Sequence, residues 1–151
     1  MHMERKIINC ETPVGNFFMI LRGDKVIRSG FGRNDENIEI IKNHSYIDLV
    51  NDYFKGDKNA LNKIKYEQKS TDFTNKVWRS ISLIPHGKTI NYTELAKNAG
   101  KPKAIRASAS ACGKNNITLI IPCHRVIRSD GKTGNYAYGS KIKKFLLDLE
   151  K

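Results

Sequence analysis

The hydrophobic period of this chain changes once. Between residues 5 and 32, short apolar runs alternate with turn residues. From Asp72 onward, apolar side chains recur at helical spacing. A chain with a single such switch folds as a strand-rich part followed by a helical part, so an α+β architecture is expected. Lys6 to Asn9, Asn16 to Leu21 and Val26 to Phe31 read as strands. Pro13 and Gly15 mark the first turn, and Gly23-Asp24 marks a tight hairpin. Asn34 to Asn43 fits either a short strand or a helical turn. From His44, Tyr46, Ile47, Val50 and Phe54 fall near helical spacing, with Gly56 as a stop. Asn59 to Ser70 is polar, rich in lysine and aperiodic. The expected division is therefore a small α/β domain over residues 1–68 and a mostly helical domain over 69–151.

In the second part, Phe73, Val77, Ile81 and Ile84 lie at i, i+4, i+8 and i+11, an apolar stripe on a helix ending near Pro85-His86-Gly87. Trp78 flanks the stripe and reads as a core aromatic. Asn91 with Glu94 three residues on is a helix start, and Gly100 is its stop. Pro102 suits the first turn of a second helix running to Gly113. The short Gly-Lys-Pro link makes this pair a candidate helix-turn-helix, although a plain αα-hairpin has the same pattern. The second helix carries Ala104, Ala107, Ser108, Ala109, Ser110 and Ala111 with Arg106 alone among them. So smooth a face suits a shallow minor-groove fit better than major-groove reading, with Arg106 as the one probe. A final stripe of Ile142, Phe145, Leu146 and Leu149 predicts a last helix with these four facing inward.

Charge supports a polyanionic partner. Lys plus Arg number 27 against 15 acidic residues, a net charge of +12. The three cysteines, Cys10, Cys112 and Cys123, form no CxxC pair and no disulfide framework. Neither a signal-peptide core nor a run of about 18 apolar residues is present, so an intracellular, cytoplasmic protein without membrane attachment is expected. Cys10, His2 and His44 lack ligand spacing, so no metal is expected.

The apolar run Ile117 to Ile121 ends at Pro122, and Cys123-His124 follow immediately. A free thiol ionises near pH ~8.5 and needs a basic or cationic neighbour to react at neutrality. Adjacent residues on a strand point to opposite faces, so His124 reaches Cys123 only through a turn or a water. Haem attachment fails because Ile120 stands where a cysteine is needed, and a zinc deaminase fails at Val126. By itself the residue is either a buried inert cysteine or a nucleophile.

Ile-Pro-Cys-His-Arg-Val at 121–126 resembles the active-site signature of the O6-alkylguanine-DNA alkyltransferases. So do Phe73, Lys76-Val77-Trp78, Gly87-Lys88-Thr89, Tyr92, Leu95-Ala96, Lys103-Ala104, Arg106-Ala107, Asn115 and Gly134-Asn135-Tyr136. Thr12-Pro13-Val14-Gly15 is similar to the family's N-terminal turn. The resemblance implies an RNase H-like N-terminal domain and a winged-type helix-turn-helix. It implies a monomer that acts on double-stranded DNA containing O6-alkylguanine, once per molecule and without a cofactor. By the same resemblance Cys123 is the alkyl acceptor, His124 takes its proton through a water, and Glu150 orients the imidazole. Tyr92 protonates the departing guanine and Arg106 fills the gap in the stack. Lys103, Ala104, Ala107 and Ala109 belong to the DNA face. Asn115 is structural, and Tyr136 with Val126 lines the pocket. The chain departs from the family at Ser108-Ala109, expected to tighten the groove-facing surface, at Asn116, and at Ala137, where a guanine contact is expected to be missing. Two rivals carry weight: an alkyltransferase-like protein that binds damage without removing it, which typically lacks the acceptor cysteine, and a cysteine hydrolase using His124 or His86.

Overall fold

The computed structural model describes residues 4–34 and 36–151, so His2 lies outside the described residues. The chain divides into two compact units, one of residues 1–68 with 116–120, the other of 69–115 with 121–151. Strands and helices are mixed in an α+β arrangement.

In the first unit, β1 (Arg5–Thr12), β2 (Gly15–Arg22) and β3 (Lys25–Phe31) form an antiparallel meander. The ambiguous segment supplies β4 (Glu39–Ile40), parallel to β1, giving the order β3-β2-β1-β4. The pleat sends Ile7, Phe18 and Ile20 to one face, where Ile27 and Ile38 pack against them. Helix α1 (Ser45–Phe54) packs on β1, and His44 caps it by accepting from the Tyr46 amide through Nδ1 at 3.0 Å. The outer edge of β3 does not stay open. Val26 pairs with the backbone of Lys65 and Glu67, while Ser29 donates to Asn116 O and, through Oγ, to Thr118 O. Those bonds draw residues 116–120 into the first unit, so the chain returns to it after its first helices, which one boundary near residue 68 does not describe. Leu119, buried there, holds φ +73, a left-handed conformation rare for its type.

In the second unit, α2 (Asp72–Ser82) is capped by Thr71 and buries Val77, Trp78 and Ile81. Helix α3 (Tyr92–Asn98) begins at Asn91, whose side chain accepts from the Glu94 amide at 2.8 Å, and Gly100 behind it takes φ +87. Trp78 is a core residue with a polar handle: its indole N–H donates to Ala111 O at 2.9 Å and so ties α2 to α4 (Ile105–Gly113).

Two expectations need correction. Helix α4 starts at Ile105 rather than at Pro102, because Ala104 closes a turn on Lys101 O at 2.8 Å and leaves helical dihedrals at ψ 48. In α5 (Ser140–Leu149) the inward stripe is not the one expected. Phe145 is 36% exposed, and Lys143, at 0%, is buried.

Candidate active site

The apolar run before Pro122 is not one extended segment, since Leu119-Ile120 make a turn with Leu119 at φ +73, and after Pro122 residues Cys123–Arg125 form a single 3-10 turn closed by Arg125 N–H to Pro122 O at 2.9 Å. The turn removes the strand alternation that would have set Cys123 and His124 on opposite faces. Two bonds to neighbours fix it. Short strand β6 (Val126–Ile127) pairs in parallel with β5 (Ile90–Asn91), which leads directly into Tyr92, and Asn115 donates through Nδ2 to Ile121 O at 3.2 Å.

Behind the thiol lies a buried ionic cluster. His124 Nε2 is 2.7 Å from Glu150 Oε2, and both residues are enclosed. Arg125 grips the same carboxylate with Nε to Oε1 at 2.8 Å and Nη2 to Oε2 at 3.0 Å, and Nη1 donates to Ile84 O at 2.8 Å. A carboxylate held by a guanidinium is an acceptor, so His124 donates through Nε2–H and keeps its lone pair on Nδ1. That Nδ1 is buried with no protein partner. Burial also lowers the His124 pKa, against the opposing pull of Glu150, so the ring is neutral at physiological pH and able to take a proton.

The thiols of Cys123 and Cys112 and the Tyr92 phenol are protonated at neutral pH. Burial raises the Cys123 thiol pKa, while the Asn115 hydrogen bond, the Lys143 charge and the turn's own backbone counteract it. Burial, then the negative charge of any thiolate at Cys112 or Cys123, pushes the Tyr92 phenol to about 12, so it stays an O–H donor. Cys112 is buried and also pushed to about 12, too high for a reactive thiol.

Arg125 and Lys143 are the buried cations of this site that the sequence did not single out. Lys143 Nζ donates to Val126 O at 2.7 Å and Asn135 O at 3.2 Å, joining the strand that follows the Cys123 turn to the glycine-rich loop of Tyr136. Burial lowers its own pKa. Tyr136 is half-buried and meets Tyr138 edge-on at 5.9 Å.

Arg106, Ala107 and Lys103 are exposed on or just before α4, with Ala104 and Ala109 half-buried. Ser108 is 0% exposed, so its departure from the family pattern faces the interior and does not tighten the outer surface as expected. Among the described residues no group of three or more His, Cys, Asp and Glu could hold a metal ion, and no helix is long and apolar enough to cross a membrane.

The Glu150 backbone lies close against Gly87. At Gly87, with φ +83, a Cβ would lie 2.9 Å from Glu150 O. Gly87→Ala is expected to lower the unfolding free energy by about 1–3 kcal/mol, from left-handed strain and the displaced carbonyl. Urea unfolding measures it, and an unchanged midpoint would refute the close approach.

A half-buried cysteine on a tight turn, a neutral histidine next to it in the chain and a buried carboxylate behind that histidine are the groups a thiol-based chemistry uses. The family described as 6-O-methylguanine DNA methyltransferase, DNA binding domain, matches residues 72–151. A methylated-DNA–protein-cysteine methyltransferase of Methanosarcina barkeri is 38% identical over 93% of this chain and 93% of its own length. A probable methylated-DNA–protein-cysteine methyltransferase of Acanthamoeba polyphaga mimivirus is 46% identical, over 66% of each chain. The crystal structure of the Mycobacterium tuberculosis O6-methylguanine methyltransferase superposes with a TM-score of 0.85 at 30% identity, covering 97% of this chain and 93% of that one. The chain belongs to the methylated-DNA–protein-cysteine methyltransferase family.

Proposed function

We propose that this protein repairs O6-alkylguanine in double-stranded DNA by a single, irreversible transfer of the alkyl group to Cys123. The reading takes residues 1–68, with the returning segment 116–120, as an RNase H-like domain and the rest of 69–151 as a winged helix-turn-helix acceptor domain, working as a monomer in the reducing compartment that holds the DNA. Residues Lys103, Ala104, Ala107 and Ala109 meet the minor groove. The damaged base leaves the stack at a cost of a few kcal/mol, and Arg106 offsets that cost by filling the gap.

His124 Nδ1 then accepts the Cys123 proton through a water, with Glu150 stabilising the imidazolium. The thiolate attacks the alkyl carbon, an S–C bond forms, and the O6–C bond breaks with its electron pair passing to the guanine. Tyr92 supplies a proton to that leaving group, while Asn115 holds the turn and Val126 with Tyr136 lines the pocket. The thioether product has no sulfur–sulfur bond to exchange, so the molecule acts once and needs no cofactor. The observation that carries this reading is the buried Arg125–Glu150–His124 chain, which leaves Nδ1 as a neutral base one residue from the thiol.

Incubation with duplex carrying O6-methylguanine is expected to add one methyl group per chain, read by intact mass and assigned to Cys123 by peptide mapping. Cys123→Ala should bind the duplex and gain nothing. Binding by the unaltered protein without a mass gain would favour the damage-binding rival, and multiple turnovers would favour a hydrolase.

A further inference from the structure

Among the largest exposed apolar side chains, Ile105 alone lies on α4, one residue before Arg106. It is 39% exposed, although the helix buries Ser108, Ala111 and Cys112 on its inner side. At 100° per residue, Ile105 and Ala109 form one row, and Arg106, Ser110 and Gly113 form the next, further from the core. The isoleucine thus stands at the entrance end of the helix, on the shoulder of the row that carries the arginine. Everything else on those two rows is short, so Ile105 and Arg106 are the two side chains that project.

The electrostatics around Ile105 select its partner. Helix α4 carries no acidic residue, the exposed Lys101 and Lys103 precede it, and the exposed Lys114 follows it. Lys101 also sits over the Phe73 ring at 5.1 Å to the centroid, which keeps an ammonium at this edge. An apolar projection on a helix flanked at both ends by exposed lysines fits a surface with phosphates at the rim and apolar base and sugar faces between them. That is the geometry of a duplex groove.

We propose that Ile105 is a wedge, which presses on the base step beside the lesion and partly unstacks it while Arg106 occupies the vacated position. This rests on the duplex-repair reading above. A branched aliphatic side chain makes no directional bond to a base edge, so its effect is to lower the cost of opening the stack rather than to read sequence. It follows that Ile105 matters where a stack must be opened and not where the base is already free.

The test compares three substrates: an O6-methylguanine duplex, the same strand without its complement, and a free benzylated guanine. With Ile105→Ala the single-turnover rate on the duplex is expected to fall about tenfold, while the other two change less than about twofold. Ile105→Leu should restore most of the duplex rate, because it restores the projecting bulk. Equal loss on all three substrates would show a packing residue, and an unchanged duplex rate would show an idle one; either overturns the wedge. Failure of the repair reading itself is separate, since the unaltered protein would then gain no methyl from any of the three.

Discussion

Replacing Arg125 by methionine is expected to lower the unfolding free energy by about 3–5 kcal/mol, the usual cost of leaving one member of a buried ion pair without its partner. Arg125 supplies Glu150 with two N–H donors at 2.8 and 3.0 Å, and Glu150 is 3% exposed, so water cannot replace them. The Ile84 carbonyl loses its donor as well. Urea unfolding of Arg125→Met and of Arg125→Met with Glu150→Leu separates the causes. The double variant is expected to recover most of the stability because no orphan charge remains. It should not recover alkyl transfer, because His124 then has no carboxylate to fix its tautomer. A loss below about 1 kcal/mol in the single variant would mean that the carboxylate is solvated after all.

What the sequence made legible follows from how local each signal is. Caps and turns are written in neighbouring residues: Asn91 with Glu94, Gly100 and Gly23-Asp24 all stand where their types require. The change of period separated the strands from the helices for the same reason. The helix start at Ile105 was hidden because Pro102 suits a tight turn as well as a first helical turn, and only the Ala104 bond to Lys101 O decides. Lys143 was hidden by its charge. A periodicity argument assigns lysine to solvent, and what holds this one inside is a pair of carbonyls from residues 8 and 17 positions away, which no pattern along α5 encodes. Arg125 lay inside the very hexapeptide that drew attention, yet its partners Ile84 and Glu150 are 41 and 25 residues distant.

The same contrast applies to the thiol. Adjacency in sequence left His124 able to reach Cys123 only through a turn or a water, and in the structure its Nε2 points to Glu150 instead. A thiol whose pKa is raised by burial would be a poor nucleophile if that were the whole of its surroundings. Three groups oppose that burial, and they come from different parts of the chain: the Asn115 amide beyond α4, the Lys143 ammonium from α5, and the backbone of the turn itself. Of these, Lys143 acts on the thiol through its charge, and its loss leaves the neutral His124 in place.

Lys143→Met is therefore expected to slow alkyl transfer from a free benzylated guanine about 10- to 100-fold at pH 7.5, with a smaller deficit as the pH rises. Methionine matches much of the lysine's volume, so the cavity term is small, although Val126 O and Asn135 O lose a donor at about 1–3 kcal/mol for the buried pair. The sign follows from the charge. The ammonium favours the Cys123 thiolate and lowers a pKa that burial has raised, so removing it moves the thiol further upward and shrinks the reactive fraction at neutral pH. Above the shifted value both proteins are thiolate and their rates converge. A purely structural role for Lys143 would instead depress the rate by the same factor at every pH. A pH–rate profile from 6 to about 10 under single-turnover conditions distinguishes the two, and parallel curves would refute the electrostatic role of Lys143.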